Sequence, residues 1–176
     1  MEVPPMIVLV PIPLDDPNMV PAVMPSVRRL ASLAPGSEIR LMSVLDPKAV
    51  HGVSTSEFGQ APPVVAGNRQ LSPGTSPRVV ESHGEAQERM HLEASEQLEA
   101  IARKELEGVG VTVSVAWSGH AADKIIEVAA SGAADVIVMA THGRTGLSHF
   151  LTGSVAEAVI RKADRPVLVI GPNCAT

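Results

Sequence analysis

The chain has 176 residues, 45% of them hydrophobic and 19% charged, with a formal charge of −5. Two Phe, one Trp and no Tyr leave almost no ring surface for stacking single strands, and the acidic balance is opposite to the clustered Lys/Arg of a nucleic-acid binder. A single cysteine, Cys174, excludes an internal disulfide and a Cys-based zinc site. No apolar run approaches the roughly 18 residues of a membrane span. Glu2 stands where a signal peptide would be positive. These features predict one cytoplasmic domain over residues 1–176, with neither nucleic acid nor membrane as partner.

Ile7-Val8-Leu9-Val10 is a continuous apolar run, three of its four residues β-branched, that ends at prolines, the pattern of a buried strand. Pro17–Ala34 places Val20, Val23, Met24, Val27, Leu30 and Leu33 at helical spacing; Pro21 and Pro25 fit there only in the first turns or with a kink. Ile39–Val44 reads as a second strand. Residues 48–84 are rich in Gly, Pro and Ser and lack sustained periodicity, which predicts a flexible insertion. From Glu85, the stripe Met90, Ala94, Leu98, Ile101 and Leu106 predicts a long amphipathic helix closed by Gly108. Strand Val111–Trp117, helix Ala121–Ala130, strand Val136–Met139, helix Ser154–Ala163 and strand Pro166–Ile170 complete the chain. Strands alternating with helices, several of them apolar on both faces, predict an α/β fold: a doubly wound, Rossmann-like five-stranded parallel sheet with helices on both faces. Ligands of such sheets sit beyond the carboxyl ends of the strands, near the point where strand order reverses.

Familiar catalytic motifs are missing. There is no Walker phosphate loop, no G-x-G-x-x-G after the first strand, no G-x-S-x-G elbow and no H-E-x-x-H. The glycines follow the fourth strand instead: Met139-Ala140-Thr141-His142-Gly143-Arg144, then Gly153-Ser154-Val155 at the mouth of a helix. Free backbone N–H groups and a helix dipole favour an anion there, and glycine lets a phosphate approach the backbone. Ser154-x-x-Glu157 is also an S-x-x-E capping box, which accounts for these two residues with no ligand at all. Both readings stand on the residues alone.

VMATHGRTG over residues 138–146, LTGSVAE over 151–157 and RPVLV over 165–169 closely resemble the universal stress protein family. ATP-binding members carry Gly-x-x-Gly, nine residues, then Gly-Ser or Gly-Thr; here nine residues separate Gly143 from Gly153, and Ser154 follows. Apart from the insertion, the resemblance covers the chain. It implies the strand order 3-2-1-4-5 and an adenine nucleotide as ligand. By the same resemblance, Pro13-Leu14-Asp15 matches the Pro-x-Asp beside the adenine, and Val44 the position whose backbone hydrogen-bonds it. Met139 matches the residue just before the first glycine, and Val155 the one after Gly-Ser. Ala140 departs from the pattern, standing where the first glycine belongs. Arg144 is the best cation for the γ-phosphate, and equally an exposed turn arginine.

The expected function is that of an ATP-binding sensor or regulator with slow or no hydrolysis. Mg²⁺ or Mn²⁺ would be held mainly by the phosphates, and no catalytic residue or metal ligand is assigned. Two rivals are a non-nucleotide dimeric module, favoured by Ala140, and a hydrolase with 48–84 as its lid. The resemblance further implies a homodimer through the last strand, 166–170.

Overall fold

The computed structural model of the chain describes residues 5–52, 82–141 and 154–171. The strands are β1 (Ile7–Pro11), β2 (Glu38–Leu45), β3 (Gly110–Trp117), β4 (Val136–Ala140) and β5 (Val167–Ile170). They form one sheet in the order β3-β2-β1-β4-β5, with every neighbouring pair parallel. This is the expected order 3-2-1-4-5. β1 lies at the centre, and Val8, Leu9 and Val10 are buried on both faces of the sheet. That double burial is why the strand reads as an unbroken apolar run.

Four helices cover the sheet: α1 (Met19–Leu33), α2 (His83–Glu105), α3 (Ala121–Ser131) and α4 (Ser154–Lys162). On one face, Val23, Met24 and Val27 of α1 and Leu98 of α2 meet Val8 and Val10 of β1 and Ile39 and Leu41 of β2. On the other, Ile125 and Ala129 of α3 and Ala156 and Val159 of α4 meet Leu9, Met42, Ile137 and Met139. Alternation along each strand sends successive side chains to these two layers. β3 is an edge strand whose Val111, Val113 and Val115 are half-buried while Thr112 and Ser114 are exposed.

Two sequence expectations are refined. Pro25 lies inside α1, on its exposed side, so the missing N–H costs the helix one bond on a surface that water can reach. α2 begins two residues before Glu85, because Ser82 caps it. The Ser82 hydroxyl accepts from the Glu85 N–H at 3.2 Å, and the Glu85 carboxylate accepts from the Ser82 N–H at 2.8 Å. The reciprocal bonds satisfy two otherwise orphaned donors and hold the Glu85 carboxyl below its ordinary value. At the entry to the expected insertion, residues 47–52 make a 3₁₀ turn that Asp46 opens by accepting from the Lys48 N–H at 2.9 Å. Residues 53–81 of it lie outside the described residues, and its last three, 82–84, cap and open α2. Among the described residues, no helix is long and apolar enough to cross a membrane.

Candidate functional site

The carboxyl ends of β1, β2 and β4 surround a cleft of about 180 Å³. Pro11, Ile12 and Pro13 enter from the end of β1, Met42 and Val44 from β2, and Met139, Ala140 and Thr141 from the end of β4. Helix ends close it: Met19 opens α1, Ala121 and Ile125 lie on α3, and Ser154, Val155 and Ala156 form the first turn of α4. The cleft sits where strand order reverses, since β1 connects outward to β2 on one side and pairs with β4 on the other. Crevices at that point are the usual ligand sites of open parallel sheets.

Strand pairing differs on the two sides of β1. β1 pairs with β2 over five residues but with β4 over only two, Val8↔Val136 and Leu9↔Ile137. Past the β1–β2 ladder, the Ile12 N–H donates to the Met42 carbonyl at 2.8 Å. Backbone groups alternate sides along a strand, so Val44 turns its N–H and carbonyl the same way as Met42. Because β1 has ended, these two groups sit at the cleft beyond the last rung. They are one donor and one acceptor, held rigid on the other side by the β2–β3 ladder, in which Val44 faces Ala116.

The lining is otherwise apolar. Thr141 and Ser154 bring the only side-chain hydroxyls among the described lining residues, and no titratable side chain is present there. Thr141 is buried and bonded at the sheet, its N–H donating to the Ile170 carbonyl at 2.9 Å. Ser154 is exposed at the start of α4, where the helix dipole is positive. Glu157 pairs with Arg161 one turn along the same helix.

Of the residues singled out from sequence, Pro13, Val44, Met139, Ala140, Ser154 and Val155 line this one cleft. Leu14 packs instead against the α1/α2 layer, and Asp15 is exposed; neither lines the cleft. Gly143, Arg144 and Gly153 lie outside the described residues. Ala140 ends β4 in register with Ile170, and it is not a positive-φ residue; Ala133 is the one non-glycine among the described residues with that conformation. The alanine therefore carries no backbone strain. Sequence reasoning missed Pro11, Ile12, Met19, Met42, Ala121 and Ile125, which look like ordinary core residues. Their common signal is position, since most stand at the carboxyl end of a strand or the first turn of a helix.

The universal stress protein family model matches residues 64–171, more than half of the chain. The chain belongs to the universal stress protein family. A universal stress protein of Methanocaldococcus jannaschii is 38% identical over 98 residues, 55% of this chain and 60% of that protein. A second from the same organism is 44% identical over 79 residues, 44% of this chain and 46% of that protein. The chain thus matches between about half and three fifths of the length of these curated relatives. The solved structure of the first superposes with a TM-score of 0.60 at 22% identity, covering 96% of this chain and 97% of that one. A universal stress protein from Archaeoglobus fulgidus in complex with dAMP superposes at 0.54, with 20% identity over 94% and 97% of the chains. A family protein from Arabidopsis thaliana with AMP bound gives 0.56, with 16% identity over 97% and 94%. At these identities the likeness is one of fold.

In this universal stress protein, α3 and α4 pack against each other and are tied by an ion pair, Lys162 Nζ to Asp123 Oδ1 at 2.7 Å. The hydrogen bond from Lys162, and then its charge, hold the Asp123 carboxyl below its ordinary 3.8. Both side chains are more than half exposed, so the pair adds little to stability.

Proposed function

We propose that this universal stress protein binds an adenine nucleotide, with ATP as the working ligand, and acts as a nucleotide-dependent sensor or regulator. The observation that carries the reading is the free donor–acceptor pair of Val44 at the mouth of an apolar cleft on the switch point. An adenine edge offers the complement: the exocyclic amine donates to the carbonyl and a ring nitrogen accepts from the N–H. The ring lies between aliphatic and thioether side chains, Met42, Met139 and Ile125 among them, in place of an aromatic stack. A cavity of about 180 Å³ suits a base; whole-ligand sites begin near 300 Å³. The ribose and phosphates then lie outside it, towards the start of α4 at Ser154 and, by the family pattern, Gly143, Arg144 and Gly153. Bound dAMP and AMP in the two structural neighbours support the same ligand class.

Slow or absent hydrolysis is part of this reading. No group placed to take a proton from water is present among the described lining residues. That lining also has no carboxylate, and the described residues hold no cluster of metal-ligating side chains. In this reading a Mg²⁺ or Mn²⁺ ion is carried mainly by the phosphates and water. The test is calorimetric titration of the purified chain with ATP and Mg²⁺, together with analysis of nucleotide that copurifies. Binding with at most trace phosphate release is expected; no heat at millimolar ATP would sink the proposal.

A homodimer through residues 166–170 belongs to the same reading. β5 is an edge strand, Leu168 is 38% exposed, and Ile160 on the adjoining α4 is 49% exposed. Exposed apolar edges favour pairing with another copy. Light scattering at dimer mass is expected, and a monomer at every concentration would contradict it.

A further inference from the structure

Thr141 brings to the cleft a hydroxyl that the sheet does not fully satisfy. The residue is 6% exposed and lines the cleft. Its N–H donates to the Ile170 carbonyl at 2.9 Å, while its Oγ1 reaches the same carbonyl only at 3.5 Å. Hydroxyl bonds ordinarily span about 2.5–3.0 Å, and this acceptor is already taken. Among the described residues Oγ1 makes no other bond, so its lone pairs are unused. A buried hydroxyl in that state is costly until something bonds to it.

Register places Thr141 across from Val44. Counted from the rungs Pro11↔Met42 and Leu9↔Ile137, Val44 on β2 and Thr141, one residue past β4, both stand level with Pro13. β1, the strand between them, has ended at Pro11. Two strand spacings, about 10 Å, lie between the flanking chains. The Thr141 N–H continues the β4–β5 ladder, so alternation puts its side chain on the face of Met139, in the α3/α4 layer. Val44 packs against that layer too, and Ser154 and Val155 of α4 line the cleft there.

We propose that Thr141 is a specificity-determining residue for the sugar of the ligand: its Oγ1 accepts a hydrogen bond from a ribose hydroxyl. This rests on the nucleotide reading above. A purine held by its amino edge at Val44 directs its sugar towards Thr141, and its phosphate towards Ser154. The site then selects a ribonucleotide over the same base on a sugar without hydroxyls.

The experiment is a cycle of two ligands and three chains, read by calorimetry. The unaltered chain should bind AMP roughly tenfold tighter than 2′,3′-dideoxy-AMP, the worth of about one net hydrogen bond. Thr141→Val keeps the shape and removes the hydroxyl. It should lower AMP affinity to that of the dideoxy ligand and leave the dideoxy ligand unaffected, with a melting temperature that holds or rises. Thr141→Ser should keep the preference for AMP. An equal loss for both ligands in Thr141→Val overturns the proposal, since the residue would then act only on the fold. So does a preference for AMP that survives in Thr141→Val, or one that is missing from the unaltered chain. If the unaltered chain binds neither ligand, the nucleotide reading falls and takes this role with it; if it binds AMP but Thr141→Val changes nothing, the role of Thr141 alone falls.

Discussion

Ala121→Trp is expected to abolish adenine-nucleotide binding while leaving the fold in place. Ala121 is the first residue of α3, is half-buried, and lines the cleft opposite the strand ends. An indole there occupies the volume assigned to the base. Overpacking a tight core costs about 1–3 kcal/mol, but position 121 opens to solvent, so the ring has room to settle without displacing Ile125 below it. Affinity for AMP should drop by at least about a hundredfold, equivalent to nearly 3 kcal/mol, with a melting temperature within a few degrees of the unaltered chain. Calorimetry and a thermal melt on the same sample check both halves. Full affinity with tryptophan at this position would place the base elsewhere.

The second large effect concerns stability. Leu9 is 1% exposed at the middle of the central strand, with Met42, Ile125, Ile137 and Met139 packed around it. Leu9→Ala removes this contact from a layer formed by three strands and two helices and leaves a cavity that neighbours on a hydrogen-bonded sheet cannot fill. The expected loss is about 2–5 kcal/mol, a large share of the roughly 5–15 kcal/mol that holds a domain together. Urea denaturation should show a lower midpoint at unchanged slope. A loss under about 1 kcal/mol would mean that the layer collapses around the smaller residue.

Much of the fold was legible because its periodicities are strong. The runs at residues 7–10 and 136–139 are apolar on successive residues, which only a strand covered on both faces requires, and the order of elements then restricts the topology. The start of α2 was misplaced by two residues because the cap, Ser82-x-x-Glu85, lies at the edge of a polar stretch where serine and glutamate look like loop composition. The candidate site was partly legible. Glycine spacing and the family pattern drew attention to residues 139–155, and Met139, Ala140, Ser154 and Val155 do stand together at the cleft. The end of β1 was harder. Two prolines two residues apart both fit a strand-ending turn, and pattern matching favoured Pro13-Leu14-Asp15. In the structure Pro11 and Pro13 face the cleft while Asp15 stands exposed in solvent.

The sequence by itself determined the class of fold, the extent of each long element and the family, because these depend on hydrophobic period and on residues adjacent in the chain. It could not decide which apolar residues line the cleft, since Met19, Met42, Ala121 and Ile125 are indistinguishable by type from the core beneath them. Nor could it show that Val44 keeps a free backbone pair, which depends on where a neighbouring strand stops. The tertiary structure decided both, because a site at a switch point is made by the ends of elements far apart in sequence.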